Sequence, residues 1–254
     1  MIIKIKHNLK ILVKCISKFG LLRGVFIYLK LTLFQGSKIS LPQFKEPIYL
    51  RKNTTDINLF YEIILWNEYN VHYNETCENV IDAGANIGLY SIIMANKFPN
   101  ARIICIEPDK ENYDILLKNI LGYPNIAAEN KGLWNECTDL KIYDKYNIGK
   151  WGMVVEKTND PSQSSVVAID IPYLIEKYEI EKIDVLKIDI ESSEYELFDH
   201  SYEPWLIKTK MLIIELHDSM KKGCSKNFIN AISKTFKNYS LNISGENIII
   251  NNLS

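Results

Sequence analysis

Residues 80–91, Val-Ile-Asp-Ala-Gly-Ala-Asn-Ile-Gly-Leu-Tyr-Ser, constrain this chain more than any other stretch. A short apolar run leads into two glycines and then into a second apolar segment, which predicts a strand, a tight turn and a helix. Gly84 and Gly88 can adopt a positive φ and let a ligand approach the backbone, and Asn86 tolerates a left-handed conformation. We therefore predict that a small ligand binds against the amides of this turn.

A second predicted strand follows the turn and ends in an acid. Residues 101–106 are mostly apolar, and Glu107 comes directly after them. In nucleotide-binding βαβ units, a carboxylate at this place holds the hydroxyls of a ribose. The glycine turn and this acid together favour a nucleotide-like cofactor over an ordinary turn with a solvent-facing Glu107. Leu89 stands where a third glycine would be, which argues against a dinucleotide.

Length and composition indicate one α/β domain with an extension. The chain has 254 residues, of which 47% are hydrophobic, and this is enough for one substantial core. Its five cysteines are widely spaced and form no C-x-x-C pattern, which predicts a reducing, cytoplasmic compartment without a disulfide or zinc framework. The four histidines form no metal-ligand pair, and no bound metal is expected. Nucleic acid is not an expected partner either.

The first 45 residues are basic, with nine Lys or Arg and no acidic residue. Lysines recur at every fourth position from Lys6 to Lys18 beside an apolar face, which predicts an amphipathic cationic helix. The lysines interrupt each apolar run before the roughly 18 residues that a membrane span needs, and no signal-peptide cleavage site follows. Docking of residues 1–35 on the acidic remainder, peripheral contact with an anionic membrane, and disorder all stay open.

The rest of the chain alternates predicted strands and helices. We predict a basic helical extension over 1–45, a lead-in strand and helix over 46–78, and a catalytic domain over 79–254. Alternation of this kind predicts a doubly wound α/β sheet. Further predictions are strands at 126–133, 183–191 and 211–216, a polar loop over 145–165, a hairpin turn at 245–246, and helix caps at residues 54–56, 109 and 170.

Five ordered blocks resemble the FkbM family of methyltransferases. They are V-I-D-A-G-A-N-I-G, I-E-P-D, K-G-L-W, I-D-V-L-K-I-D-I-E and I-I-E-L-H-D. The resemblance implies a Rossmann-like, seven-stranded, mostly parallel sheet with helices on both faces, S-adenosylmethionine as methyl donor, and O-methylation, often of a polyhydroxylated molecule. This chain departs from the family at Ser192-Ser193, where Gly-Ala is usual. If the family glycine uses a positive φ, Ser192 must avoid that conformation or be strained by it.

The resemblance and the strand-end positions together give a predicted cofactor site. Open α/β sheets bind ligands at the carboxyl ends of their strands, so residues that are distant in sequence should converge there. The predicted donor-binding residues are Asp82, Gly84, Asn86, Gly88, Glu107 and Lys131. Lys131 falls where the adenine edge would lie.

The predicted catalytic residues are His217, Glu215, Asp189 and Glu191. His217 is our first choice for the general base because its ordinary pKa is nearest neutrality, and a purely structural role for it stays open. The three carboxylates could hold the ammonium group of the donor, bind substrate hydroxyls, or ligate a divalent metal. Trp151, in the polar loop, and Glu194 are the predicted substrate contacts.

The sequence thus predicts an S-adenosylmethionine-dependent O-methyltransferase that acts on a hydroxyl of a sugar, glycan or glycoconjugate. One alternative is an NAD(P)-dependent short-chain dehydrogenase acting on a nucleotide sugar. Its Y-x-x-x-K pattern occurs twice here, but about 1.6 matches are expected by chance. The other alternative is a non-catalytic adaptor with a degenerate pocket, which Ser192 keeps open.

Overall fold

The computed structural model describes residues 2–33, 38–73, 76–145, 149, 153–160, 162 and 165–254. The chain forms two compact units, Met1–Asn70 and Val71–Ser254. The domain boundaries that we place at residues 45 and 78 from the sequence stay a prediction.

The first unit is mainly helical. It contains α1 (Ile2–Phe19), α2 (Leu21–Leu33), α3 (Asp56–Leu59), a π-helix (Phe60–Trp66) and the antiparallel pair β1 (Lys38–Ile39) and β2 (Ile48–Tyr49). Helices α1 and α2 pack so closely that a side chain at Gly24 would lie 2.6 Å from the carbonyl oxygen of Cys15. Among the helices that the structure describes, none combines the length and apolar character needed to cross a bilayer.

The lead-in helix starts differently from the prediction. Thr55 stands at its N-terminus but makes no capping hydrogen bond through its side chain. The carboxylate of Asp56 is buried instead and accepts a hydrogen bond of 2.7 Å from the guanidinium of Arg51. Of the capping oxygens predicted at residues 54–56, Thr55 supplies none, whereas Oγ1 of Thr54 accepts a hydrogen bond of 3.3 Å from the amide of Asp56 at the start of the helix. The helix ends at Asn67, whose φ of 58° is one that asparagine tolerates.

The second unit contains eleven strands in its described part. Their bounds are β3 Asn79–Ala83, β4 Arg102–Ile106, β5 Ile126–Glu129, β6 Gly132–Leu133, β7 Asp139–Tyr143, β8 Val154–Lys157, β9 Val166–Ile169, β10 Ile183–Ile188, β11 Thr209–Glu215, β12 Tyr239–Ser244 and β13 Asn247–Asn252. Seven of them form one sheet in the order β12-β13-β11-β10-β3-β4-β5. The five strands from β11 to β5 are parallel, while β13 runs antiparallel to β11 and β12. The predicted α/β, Rossmann-like fold with a mostly parallel sheet is confirmed.

Apolar strands and capped helices build this unit. The helices are α4 Leu89–Lys97, α5 Lys110–Ile120, α6 Ile171–Lys177, α7 Glu194–Leu197, α8 Glu203–Leu206 and α9 Cys224–Thr235. Ile81, Ile104 and Leu186, on three neighbouring strands, are fully buried in one core. The predicted caps of α5 and α6 are confirmed, because the side chains of Asp109 and Asp170 accept hydrogen bonds from backbone amides in the first turn of each helix.

A second, four-stranded sheet corrects two predictions. Its order is β6-β9-β7-β8. The single strand predicted for 126–133 is wrong, because the chain leaves the main sheet after Glu129 and Gly132–Leu133 pairs with β9 instead. The unbroken loop predicted for 145–165 is also wrong, because β8 lies within it and pairs with β7. The apolar Val155 of β8 is buried with Trp134 and Leu140 in a small separate core, which explains why this segment is a strand.

Candidate functional site

The register of the parallel strands sets up one row of residues at the carboxyl edge of the sheet. Ala83 pairs with Ile106 on one side and with Ile188 on the other, and Ile188 pairs with Ile214. The residues that follow these four in the chain therefore lie side by side. They are Gly84, Glu107, Asp189 and Glu215. The convergence expected from the sequence is present in the structure.

The turn after β3 has a left-handed backbone at three positions. The φ angles are 75° at Gly84, 50° at Asn86 and 83° at Gly88. A Cβ atom added at Gly84 would lie only 1.7 Å from the carbonyl oxygen of Asp189. Glycine is therefore needed here for the close approach of another strand as well as for the positive φ.

Asp82 and Lys187 stabilise the turn after β3 through buried polar contacts. Asp82 is fully buried and accepts a 2.6 Å hydrogen bond from the hydroxyl of Ser91. The ammonium of Lys187 lies 3.4 Å from Asp82, donates to the carbonyl oxygen of Gly84 at 2.9 Å and lies 3.5 Å from Asp189. Asp82 thus positions the turn in this structure, whereas we expected it to touch the ligand.

The sequence reasoning missed two residues of this site, Lys187 and Ser91. Lys187 is the more informative of the two, because it is 3% exposed and interrupts a strand that is otherwise buried and almost entirely apolar. A lysine of this kind must be paired, since an isolated buried ammonium is costly. The sequence feature that could have indicated Lys187 is its position two residues before Asp189, on the same face of the strand.

Glu107 lies where the ribose-binding carboxylate was predicted. It is 4% exposed and accepts hydrogen bonds from the backbone amides of Asn86 (2.8 Å) and Asp109 (2.9 Å). Burial raises the pKa of its carboxyl to about 7, although these two amides oppose the shift. The side chain of Asn130 donates to the carbonyl oxygen of Glu107 at 2.9 Å. Lys131 follows Asn130 and is half-buried in the connection between β5 and β6.

The predicted catalytic residues form one cluster around His217. Its Nε2 atom lies 3.4 Å from Glu191, 3.5 Å from Glu215 and 3.8 Å from Asp189. Its Nδ1 atom lies 3.1 Å from Oε1 of Glu194. Both ring nitrogens therefore face carboxylate oxygens.

This environment corrects the assignment of His217 as a base that titrates near neutrality. Burial alone would lower the pKa of His217, but hydrogen bonds to Glu194 and Glu215 and the charge of Asp189 raise it to about 12. A histidine that is already protonated at neutral pH cannot accept a proton from a substrate. The same surroundings act on the acids: burial raises the pKa of Glu191 to about 8, and the hydrogen bond to His217 lowers the pKa of Glu215.

The two predicted substrate contacts have different outcomes. Glu194 is fully buried, and its Oε1 oxygen accepts a hydrogen bond from the backbone amide of Ile190 at 3.1 Å as well as facing His217. This placement favours a role in positioning His217 over contact with a substrate. Trp151 lies outside the described residues.

The loop after β10 is strained at the point where this chain departs from the family pattern. Glu191 has a φ of 52° and Ser192 a φ of 84°. Ser192 therefore adopts the left-handed conformation that glycine favours, and side chains there cost about 1 kcal/mol or more. Strain of this kind is typical of residues held in place for function.

Ser192→Gly is expected to raise the free energy of unfolding by up to about 1 kcal/mol, because it removes the strained Cβ. Ser193 is the matched control, since it is the next residue but has a φ of −73°. Ser193→Gly should lower the free energy of unfolding by about 0.5–1 kcal/mol through backbone entropy alone. Urea unfolding of both variants measures the difference, and equal losses would show that Ser192 is not strained.

Comparison with known proteins identifies the family. A model of the methyltransferase FkbM domain matches residues 82–240. This chain belongs to the FkbM methyltransferase family. The matched range contains the turn after β3, Glu107 and the whole His217 cluster, so the FkbM domain coincides with the site described above.

Individual relatives of this FkbM chain are distant. Methyltransferase sdnD of Sordaria araneosa is 33% identical over 91 residues, which cover 34% of this chain and 35% of that protein. The crystal structure of methyltransferase FkbM from Methylobacillus flagellatus KT is 14% identical, with a TM-score of 0.48, and the match covers 75% of this chain and 47% of that one. The O-methyltransferase from Bacillus cereus, solved with SAH, is 13% identical, with a TM-score of 0.42 and coverage of 68% and 73%. The chain thus spans about a third of sdnD and about half of the Methylobacillus protein.

The FkbM family uses S-adenosylmethionine as methyl donor, and the residues at the strand ends fit that molecule. Glu107 offers a buried carboxylate for the ribose hydroxyls, beside backbone that only glycine and asparagine readily form. The carboxylate of Asp189 lies on the next strand along and can hold the ammonium group of the donor.

Proposed function

We propose that this chain transfers a methyl group from S-adenosylmethionine to a hydroxyl oxygen of a sugar, glycan or glycoconjugate. The observation that supports the proposal is the row of strand-end carboxylates beside the donor turn. When bound, the donor supplies a methyl group already activated by its sulfonium. The residues of the chain then have to align the acceptor oxygen with that methyl and take up the hydroxyl proton.

The charge of the cluster favours a neutral, hydroxyl-rich acceptor. Asp189, Glu191 and Glu215 are 26%, 16% and 23% exposed at the side chain, so a substrate can reach all three. Hydroxyl groups donate strong hydrogen bonds to carboxylates, whereas the phosphates of a nucleic acid would be repelled by them. A polyol therefore fits this edge of the sheet better than RNA or DNA does.

Glu191 is the proton acceptor that this proposal assigns. Its Oε2 atom is buried, accepts no hydrogen bond from any residue of the described chain, and lies 3.4 Å from Nε2 of His217. The positive φ of Glu191 is a backbone conformation that costs free energy, which is consistent with a functional role. His217, whose raised pKa favours its protonated form, would stabilise the ionised carboxylate rather than act as the base.

Glu191→Gln is expected to lower kcat by about 100-fold or more and to leave donor affinity within a factor of two, since proton transfer typically contributes 10² to 10⁴ in rate. The assay uses donor labelled in its methyl group, with a panel of neutral glycans, glycolipids, nucleotide sugars and RNA, and identifies methyl ethers in the products. Glu176→Gln, on α6 and outside the cluster, is the matched control.

If the methyl label appears in RNA and in none of the glycans, the proposed acceptor class is contradicted. Full activity of Glu191→Gln on a glycan would leave the acceptor class standing and reject Glu191 as the base.

We also propose that the first unit contacts an anionic lipid surface. Helices α1 and α2 present exposed apolar side chains, among them Leu9, Val13, Leu22 and Phe26, at 57%, 58%, 87% and 58% exposure. Exposed lysines such as Lys10 and Lys14 lie among them, and residues 1–45 contain no acidic residue. Apolar side chains surrounded by lysines are typical of helices that lie in the interface of an anionic membrane.

Leu22→Glu is expected to weaken binding of the full chain to vesicles of phosphatidylglycerol and phosphatidylcholine by at least tenfold, because burying one leucine is worth about 1.5–3 kcal/mol. Leu121 is the matched control, since it is an equally exposed leucine at 88% in the second unit. Leu121→Glu should bind the vesicles as the unaltered chain does. Sedimentation with vesicles measures both, and equal binding of the two variants would reject the lipid contact.

A further inference from the structure

We propose that Asp189, Glu215 and His217 bind one divalent cation at the carboxyl ends of β10 and β11. The Nε2 atom of His217 and one carboxylate oxygen from each acid lie within 4.8 Å of one another. The inference deepens the proposed function, because the cation would lie beside the assigned proton acceptor, and it rests on that function for its role in catalysis. The distances that support the cation site do not depend on which acceptor is methylated.

The distances from Nε2 of His217 to the two acids are longer than those of good hydrogen bonds. Nε2 of His217 lies 3.5 Å from Glu215 and 3.8 Å from Asp189, beyond the range of a good N–H···O bond. Two neighbouring ligand atoms about 2.1 Å from an octahedral ion, at an angle of about 90°, are roughly 3.0 Å apart. A contraction of about 0.5–0.8 Å between His217 and each acid would therefore bring these ligand atoms to coordination distance.

Glu194 supplies the second observation. Its side chain is fully buried and directed at His217, with Oε1 3.1 Å from Nδ1. Its Oε2 atom has no hydrogen-bond partner among the described residues, so this buried carboxylate is incompletely satisfied. A carboxylate that accepts the Nδ1 proton of a histidine fixes the orientation in which Nε2 can bind a metal, and the bound ion takes the place of any proton on Nε2. Glu194 thus holds His217 as a ligand-orienting carboxylate would.

The charge balance also calls for a cation. Six carboxyl groups meet here, namely Asp82, Asp189, Glu191, Glu194, Glu215 and Glu246, and the positive groups facing them are Lys187 and His217. Buried carboxylates without compensating charge are costly. A divalent ion would remove most of the remaining negative charge.

The ligand types indicate which ion to test. Two carboxylates favour Mg²⁺ or Mn²⁺, while an imidazole nitrogen favours transition metals, so the set as a whole fits Mn²⁺ best among these. An acceptor hydroxyl bound to such an ion would become more acidic, which would assist the transfer of its proton to Glu191.

The test is a calorimetric titration of the full chain, stripped of metal by EDTA and dialysed, with Mn²⁺ alone. We expect one Mn²⁺ per chain, affinity at least tenfold higher than for Ca²⁺, and a rise in Tm on saturation. Glu215→Gln and Asp189→Asn should each weaken Mn²⁺ binding by at least tenfold. Asp199→Asn is the matched control, because Asp199 contacts His200 at 3.0 Å in an exposed pair outside the cluster, and it should bind Mn²⁺ as the unaltered chain does.

Absence of saturable Mn²⁺ binding and of a Tm shift in the unaltered chain would overturn the proposal, and so would unchanged affinity in both cluster variants. The unaltered chain alone decides whether a cation binds, so the test does not depend on the folding of a variant. The titration contains neither donor nor acceptor. Cation binding and the proposed methyl transfer can therefore fail separately.

Discussion

Gly84→Ala is expected to abolish donor binding and to lower the free energy of unfolding by about 2–5 kcal/mol, since overpacking costs about 1–3 kcal/mol and a left-handed alanine about 1–2 kcal/mol. The new Cβ would lie 1.7 Å from the carbonyl oxygen of Asp189, so either β3 or β10 must move. Movement of either strand separates the donor turn from the acids that complete the site. Urea unfolding and calorimetry with S-adenosylhomocysteine measure the two effects.

Gly20→Ala separates strain from collision. Gly20 has a φ of 81°, close to that of Gly84, but a Cβ added there meets nothing within 4 Å. We expect a loss of about 1–2 kcal/mol for this control, from the left-handed conformation alone. If the two variants lose equal stability, the approach of Asp189 to Gly84 is not what requires the glycine.

Lys187→Met should be the second most damaging change, with a loss of about 3–5 kcal/mol in the free energy of unfolding. Methionine keeps the apolar stem of the lysine but removes the charge that lies between Asp82 and Asp189 and the donor to the carbonyl oxygen of Gly84. Asp82 would then be left fully buried without an opposite charge. Thermal and urea unfolding measure the loss.

Lys210→Met is the matched control on the neighbouring strand. Lys210 also pairs with an aspartate, Asp184 at 2.6 Å, but its side chain is 31% exposed and the carboxylate keeps two backbone amide donors. A partly exposed ion pair contributes about 1 kcal/mol or less.

Adding Asp82→Asn to Lys187→Met should restore part of the stability, because it removes the uncompensated charge. A single Lys187→Met variant as stable as Lys210→Met would contradict the role given to Lys187.

The positions of the residues in this row could be predicted from the sequence. Continuous apolar runs that end in a glycine or an acid predict parallel strands and the edge at which their ends meet. Glu107, Asp189 and Glu215 could therefore be placed together before any contact was known. The positive φ angles at Gly84 and Gly88 follow in the same way, because the tight turn after β3 needs them.

The properties that depend on three-dimensional surroundings could not be predicted. The charge of His217 is set by Glu194 and Asp189, which lie 23 and 28 positions away in the chain, and neither distance is readable from sequence. Residues 154–157 looked like part of a polar loop because their partner strand and their small core come from other segments. Local pattern predicts which residues reach the edge of the sheet, while packing decides what each one does there.

The contact between Gly84 and Asp189 also governs when the site can form during synthesis. The bond from Lys187 to the carbonyl oxygen of Gly84 closes a loop of 103 residues. Long loops make slow, late contacts in folding, because their closure entropy must be overcome before any pairing stabilises them. At about 5–20 residues per second, β3 would wait roughly 5–20 seconds on the ribosome for β10 to be made. The turn after β3 is therefore completed only by a late partner, and we expect nascent chains that end before β10 not to bind the donor.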